Sequence, residues 1–200
     1  MAATDEMSLR TFLALPLGEL FEKEVGQFLK QIRSQDHQEI RWVAPSQFHV
    51  TLHFFGLTRE DEVEIIKSVV APLAASYPPL DVNLQEIGCF PGPQRPRVIW
   101  IGVGGDTNQL VGLQGEVEKD LSKAGFSVES RTFKPHGTLG RVKKEAGHVQ
   151  LSWDALNFQK TELKTTDRIV LFQSRLSPQG ARYEAIETFY LSGKPYPEAA

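Results

Sequence analysis

Two short segments hold residues whose types and spacing suit proton transfer at phosphorus: His49-Val50-Thr51-Leu52 and His136-Gly137-Thr138-Leu139. Both read His-x-Thr-Leu, and their histidines lie 87 positions apart in a chain with only five His. Residues two apart in a strand share a face and sit ~6.6 Å apart along its axis. Each His therefore points with its Thr, while Val50, Leu52, Gly137 and Leu139 point away. If the two strands lie side by side, ~4.8 Å apart, two imidazoles and two hydroxyls converge on one small volume. That set suits an in-line displacement. One His takes the proton of an attacking water, the other protonates the departing oxygen, and the Thr hydroxyls hold the non-bridging oxygens. Imidazole fits both tasks because its unperturbed pKa of ~6.5 lies near working pH. A lone His-x-Thr is more often an ordinary polar strand face than a site. Two copies with one polar/apolar alternation are hard to obtain from packing alone.

A metal reading fails on spacing. His49 and His53 are four apart, as in a helical zinc pair, but in a strand their Cα atoms would be ~13 Å apart and could not share an ion. Alternation puts His53 on the His49 face, lining the cleft. His37 and His148 lie in polar stretches and read as solvent-exposed.

The elements that must position these residues follow from pattern. Strands are expected at Arg10 to Leu17, Trp42-Val43, Phe48 to Phe55, Leu80 to Phe90, Val98 to Val103, Phe133 to Val142, Arg168 to Leu176 and Tyr183 to Leu191. The last two are joined by Ser177-Pro178-Gln179-Gly180, a turn signal. Helical spacing of apolar residues covers Glu19 to Arg33 and Asn108 to Ala124. A third helix follows Thr58 with an acidic first turn, Glu60 to Glu62. The expected fold is α+β: two mostly antiparallel sheets with two main helices, in two halves built on one plan. Residues 1–200 read as a single two-lobed domain with 1–8 a flexible tail. Trp42, Trp100 and Trp153 read as core or lobe-interface residues.

Composition narrows the class. The 22 basic and 25 acidic side chains leave a net charge of −3, which argues against a generic nucleic-acid coat but not against gripping one phosphorylated end. One cysteine, Cys89, excludes an intramolecular disulfide and a cysteine-based zinc site. No apolar run reaches the ~20 residues of a membrane span, and Met1 to Met7 is polar and acidic, unlike a signal peptide. A cytoplasmic monomer is the expectation, with no metal, no cofactor, no membrane and no obligate protein partner.

The paired motifs resemble the two-histidine phosphoesterase superfamily, and the chain is similar to the RNA 2′,3′-cyclic phosphodiesterases, also called 2′–5′ RNA ligase-like proteins. The similarity runs through Arg10-x-Phe12-x-Ala14, Arg41-Trp42-Val43, Phe48 to Leu52, Arg97 to Gly102, Pro135 to Arg141, Ser174 to Pro178 and Ala181-Arg182-Tyr183. The resemblance implies a pseudo-symmetric two-lobed fold, with helices outside and a central cleft to which each lobe brings one His and one Thr. It also implies metal-independent opening of a 2′,3′-cyclic phosphate at an RNA 3′ end, or in a small cyclic nucleotide, to a 2′-phosphate. It makes His49 and His136 the acid/base pair, His49 as acid and His136 as base for that product, with Thr51 and Thr138 on the phosphate. The other reading keeps the fold without catalysis, as an AMP- or nucleotide-binding module.

Three further residues are candidates. Phe12 shares its strand face with Arg10 and is either a base-stacking residue or a core Phe. His53 stands where Lys is common in the family, which predicts weaker phosphate binding at neutral pH. Arg141 is five residues past His136, so strict alternation sends it to the opposite face. It reaches the phosphate only if the strand bends at Gly140. Gly137 and Gly140 replace larger residues usual in the second motif, and Gly137 is expected to loosen its strand by ~1 kcal/mol.

Overall fold

The computed structural model describes residues 9–33, 39–129, 131–145, 158–177 and 180–194. The expectations for the 1–8 tail, His37, His148, Trp153, Pro178 and Gln179 lie outside the described residues. In chain order the elements are β1 (Leu9–Pro16), α1 (Gly18–Arg33), β2 (Ile40–Trp42), a 3-10 turn (Pro45–Gln47), β3 (His49–Thr58) and α2 (Glu60–Ser76). They continue with β4 (Leu80–Phe90), β5 (Val98–Gly105), α3 (Thr107–Lys123), β6 (His136–Val142), β7 (Lys164–Thr166), β8 (Arg168–Ser177) and β9 (Gly180–Tyr190).

The fold is α+β and antiparallel throughout, as expected, but the two sheets are one. Strand order is β7-β4-β5-β6-β3-β1-β8-β9, with β2 also paired to β6. The seam between the halves is a single Cα pair, Val50 with Gly137. These are the residues just inside each His, so the duplicated motifs themselves join the halves. Two bare inner edges would leave a row of unpaired N–H and C=O groups, and this contact pairs part of it.

Both His-x-Thr strands follow a strand and a long helix, β1-α1 before β3 and β5-α3 before β6, but β2 and the 3-10 turn intervene only between α1 and β3. The hydrogen bonds before the two motifs match. Leu17 N–H donates to the Phe48 carbonyl at 2.9 Å, and Val103 N–H donates to the Pro135 carbonyl at 3.0 Å. The helices form because their apolar residues recur at three- and four-residue steps. Phe21, Val25, Phe28, Leu29 and Ile32 of α1 and Leu110, Leu113, Val117 and Leu121 of α3 are all buried. With the buried strand residues Leu13, Leu15, Val50, Leu52, Ile99, Ile101 and Leu139 they form one core.

Two elements differ from pattern. β3 does not stop at Gly56 but runs on to Thr58, whose hydroxyl pairs with that of Thr11 at 2.7 Å; the residue preceding α2 is Arg59. β7 is too short to show a period. Among the described residues no helix is long and apolar enough to cross a membrane.

Candidate active site

The single seam pair fixes how the motifs meet. In an antiparallel register, Val50 opposite Gly137 sets Thr138 toward His49 and Thr51 toward His136. Each His thus neighbours the other strand's Thr, and the histidines occupy diagonal positions, ~7–8 Å apart in an ideal ladder. Val50 and Leu139 are buried, while His49, Thr51, His136 and Thr138 are half-buried or exposed on the other face.

Both imidazoles are oriented in the same way. His49 Nδ1 lies 2.7 Å from the Gln47 carbonyl, and His136 Nδ1 lies 2.6 Å from the Lys134 carbonyl. A carbonyl only accepts, so each Nδ1 carries the proton, and the neutral ring keeps its lone pair on Nε2. Aromatic rings wall both. Phe12 and Tyr183 lie 5.0 and 5.3 Å from the His49 ring, and Phe90 and Trp100 lie 5.1 and 5.9 Å from the His136 ring. Burial disfavours the charged form, and it pushes the His49 pKa down to about 4, against the Gln47 carbonyl and helped by the Arg141 and His136 charges. His136 is also held below its ordinary value, by burial first, against the Lys134 carbonyl, and by Arg141.

Beyond each Leu of the motifs the strand bulges at the same place. In β3, Leu13 faces His53 but the next residue, Ala14, faces Thr51, leaving Leu52 as the extra residue. In β6, Ile99 faces Gly140 but Trp100 faces Thr138, leaving Leu139 extra. One extra residue inverts the alternation after it. This corrects two expectations. His53 is not on the His49 face: it is buried on the core side, its Nδ1 2.9 Å from Glu118 of α3. It does not line the cleft, and Phe54, which directly faces Phe12, takes that side instead. Conversely, Arg141 is returned to the site face, where its charge acts on His49, His136 and Tyr183 together. The strand turns at Leu139 rather than at Gly140.

The two glycines of the second motif make room for rings. A Cβ on Gly137 would lie 2.2 Å from Phe48 Cζ, and one on Gly140 would lie 2.7 Å from Trp42 Cε3. The loss of side chain is therefore a packing match, not a loosening.

Of the two readings of Phe12, the core one holds and the base-stacking one is corrected. Phe12 is 3% exposed, stacked on Phe172 at 5.3 Å and met edge-on by Tyr183 at 4.9 Å, so neither face is open to a base. It positions His49. Sequence reasoning missed Tyr183, Phe172, Phe90 and Trp100 as site walls. Trp100, expected in the core or at the lobe interface, faces Thr138 across the β5–β6 ladder. Register alone carries that information. Arg41, directly opposite Arg141 on β2, adds a second guanidinium to the same side. Like charges in facing positions repel unless an anion lies between or beside them. Among the described residues no group of three or more His, Cys, Asp or Glu is placed to hold a metal ion.

Comparisons with known proteins agree with this fold. The sequence profile of the 2′-5′ RNA ligase superfamily matches residues 21–176. A Methanothermobacter thermautotrophicus protein named RNA 2′,3′-cyclic phosphodiesterase is 32% identical over 187 residues, covering 92% of this chain and 100% of that one. One of the same name from Methanocaldococcus jannaschii is 33% identical over 184 residues, with 90% and 99% covered. Among solved structures, a Thermus thermophilus protein superposes with a TM-score of 0.77 at 24% identity, covering 94% of this chain and 100% of that one. E. coli LigT complexed with 3′-AMP gives 0.70 at 21%, with 93% and 99% covered. On the extent of the profile match and these identities, the chain belongs to the 2′-5′ RNA ligase superfamily.

Proposed function

We propose that this protein is a hydrolase that opens the 2′,3′-cyclic phosphate at an RNA 3′ end to a 2′-phosphate. Relatives bearing the name RNA 2′,3′-cyclic phosphodiesterase match about nine-tenths of the chain and support that activity. The single observation that carries the site is the meeting of two His-x-Thr strands at the Val50–Gly137 pair.

Water attacks phosphorus in line with the bond to O3′. His136 Nε2 takes the water's proton, His49 Nε2 delivers one to the departing O3′, and the P–O3′ bond breaks, leaving a 2′-phosphate and a free 3′ hydroxyl. Thr51, Thr138 and Arg141 donate to the non-bridging oxygens, where charge builds up. The proton for His49 has a physical source in the substrate. Burial and Arg141 favour the neutral form of both rings, and an anion bound between them raises both pKa values again. No step calls for a metal.

The test is incubation of the purified protein with a 2′,3′-cyclic-phosphate RNA in EDTA, following the end formed. Conversion to a 2′-phosphate is expected. Loss of turnover in EDTA rejects the metal-free reaction, and tight AMP binding without turnover favours a nucleotide-binding module instead.

A further inference from the structure

The face that carries His49 and Thr51 does not end with them. After the Leu52 bulge the next residue on that face is Phe54, and a second bulge, with Phe12 facing Phe54 but Thr11 facing Gly56, brings Leu57 there as well. Phe54 is 52% exposed and Leu57 69% exposed, beside buried neighbours. Arg10, which faces Leu57 across β1–β3, lays its guanidinium over the Phe54 ring with Cζ 5.5 Å from the centroid. Among the described residues it makes no ion pair.

We propose that Phe54 and Arg10 form a second-nucleotide subsite: Phe54 stacks the base of the nucleotide 5′ to the cyclic phosphate, and Arg10 holds the phosphodiester that joins the two. The proposal rests on the hydrolase reading above and names its substrate as an RNA chain rather than a lone cyclic nucleotide.

Three observations carry it. Thr51 and Phe54 face Ala14 and Phe12, two residues apart on β1, so the platform begins ~7 Å along the strand from the phosphate-holding hydroxyl, about one nucleotide step. The ring that would otherwise receive a base, Phe12, is sealed by Phe172, Tyr183 and His49, so stacking must occur on an open ring. An exposed aromatic beside a cation is the combination that holds single-stranded nucleic acid without reading its sequence. A cyclic mononucleotide has one phosphate, already served by Arg141 and the two threonines. Arg10 answers to a second phosphate, which only a longer substrate has.

The experiment compares kcat/KM on a 2′,3′-cyclic mononucleotide and on a dinucleotide ending in the same cyclic nucleotide. Wild-type turnover of either substrate tests the hydrolase reading by itself, since only absence of turnover on both would reject it, independently of the subsite. Phe54→Ala should lower kcat/KM on the dinucleotide about tenfold, chiefly through KM, and leave the mononucleotide unchanged. Phe54→Trp should keep or strengthen the dinucleotide preference, and Arg10→Gln should raise KM for the dinucleotide alone. Phe54 is exposed, so thermal unfolding near wild type is expected and confirms that the variants fold. Equal losses on both substrates would assign Phe54 to the terminal base, and no loss on either would leave it without a ligand. Both results overturn the proposal, and neither touches the hydrolase reading.

Discussion

β3 and β6 are built on one backbone plan and use it differently. Each begins with His-x-Thr-Leu, each fixes its imidazole on a carbonyl two residues back, and each bulges at the Leu. The residue that the bulge swings onto the site face is Phe54 in one strand and Arg141 in the other. The residue sent to the core is His53, bonded to Glu118, in one and Gly140, under Trp42, in the other. Symmetry of the backbone places two equivalent imidazoles, and asymmetry of the side chains gives that face a charged side and an aromatic side; in the proposed reaction the imidazoles carry the protons and the charged side takes the phosphate. A symmetric substrate would need no such division; an RNA end, with its phosphate at one side and a chain at the other, does.

The equivalence of the two imidazoles is open to the largest test. His49→Ala and His136→Ala should each lower kcat by ~10²–10⁴, the usual worth of a positioned acid or base. Because the two act in one displacement, the double variant should lose little more than either single one. Losses that simply multiply would mean that the strands do not share a reaction.

Arg141→Gln asks whether the charged side acts in chemistry. Removing one donor to a developing anion typically costs ~10²–10³ in kcat, and here a cyclic mononucleotide suffices to read it. The same change alters the pH profile. The kcat/KM profile reports the empty enzyme, in which the acid is lost as pH rises through its pKa and the base as pH falls through its own. Both values lie below 6.5, that of His49 at about 4, so the optimum should fall below pH 6.5 whichever ring is the base. The kcat profile, with the anion in place, should peak at higher pH. In Arg141→Gln the kcat/KM optimum should move upward, since a repelling cation is gone. An optimum that does not move would break the electrostatic link between β6 and both rings.

Smaller in effect is the seam itself. Gly137→Ala drives a Cβ to within 2.2 Å of Phe48 Cζ, and the ring must move in a filled core. Overpacking of this kind costs about 1–3 kcal/mol, readable as a lower urea midpoint. A stabilised Gly137→Ala would restore the view, drawn from sequence, that the missing side chain weakens its strand.

What could be read from sequence follows from the range of each signal. The duplicated motif, both long connecting helices and the antiparallel α+β class rest on local periodicity and were legible. Residues downstream of the motifs were not. Strict alternation misplaces His53, Phe54 and Arg141, because a bulge leaves no mark in a pattern such as LHFF or LGRV. Phe12 was legible as an aromatic on the right face, but its closure depends on Phe172 and Tyr183, some 160–171 positions away. The joining of two sheets into one rests on a single cross-strand pair, which no local pattern encodes.

The two bulges are also secured differently, and this yields the finest test. A bulge withdraws a carbonyl from the ladder, and a buried carbonyl needs a donor. In β6 the Leu139 carbonyl accepts the backbone N–H of Val43 at 2.8 Å, a bond no side-chain change can remove. In β3 the Leu52 carbonyl accepts Nε2 of Gln114 at 3.3 Å, and the same amide donates to Glu118, the partner of His53. Gln114→Met keeps the length and removes both donors. The expected loss is about 1 kcal/mol of stability. Amide exchange should quicken at His53 and Phe54 of β3 and stay unchanged at Gly140 and Arg141 of β6. With the Phe54 side less firmly set, turnover of a dinucleotide should fall slightly more than that of a mononucleotide. If exchange quickens equally in both strands, Gln114 supports the fold as a whole, and the β3 bulge does not depend on it.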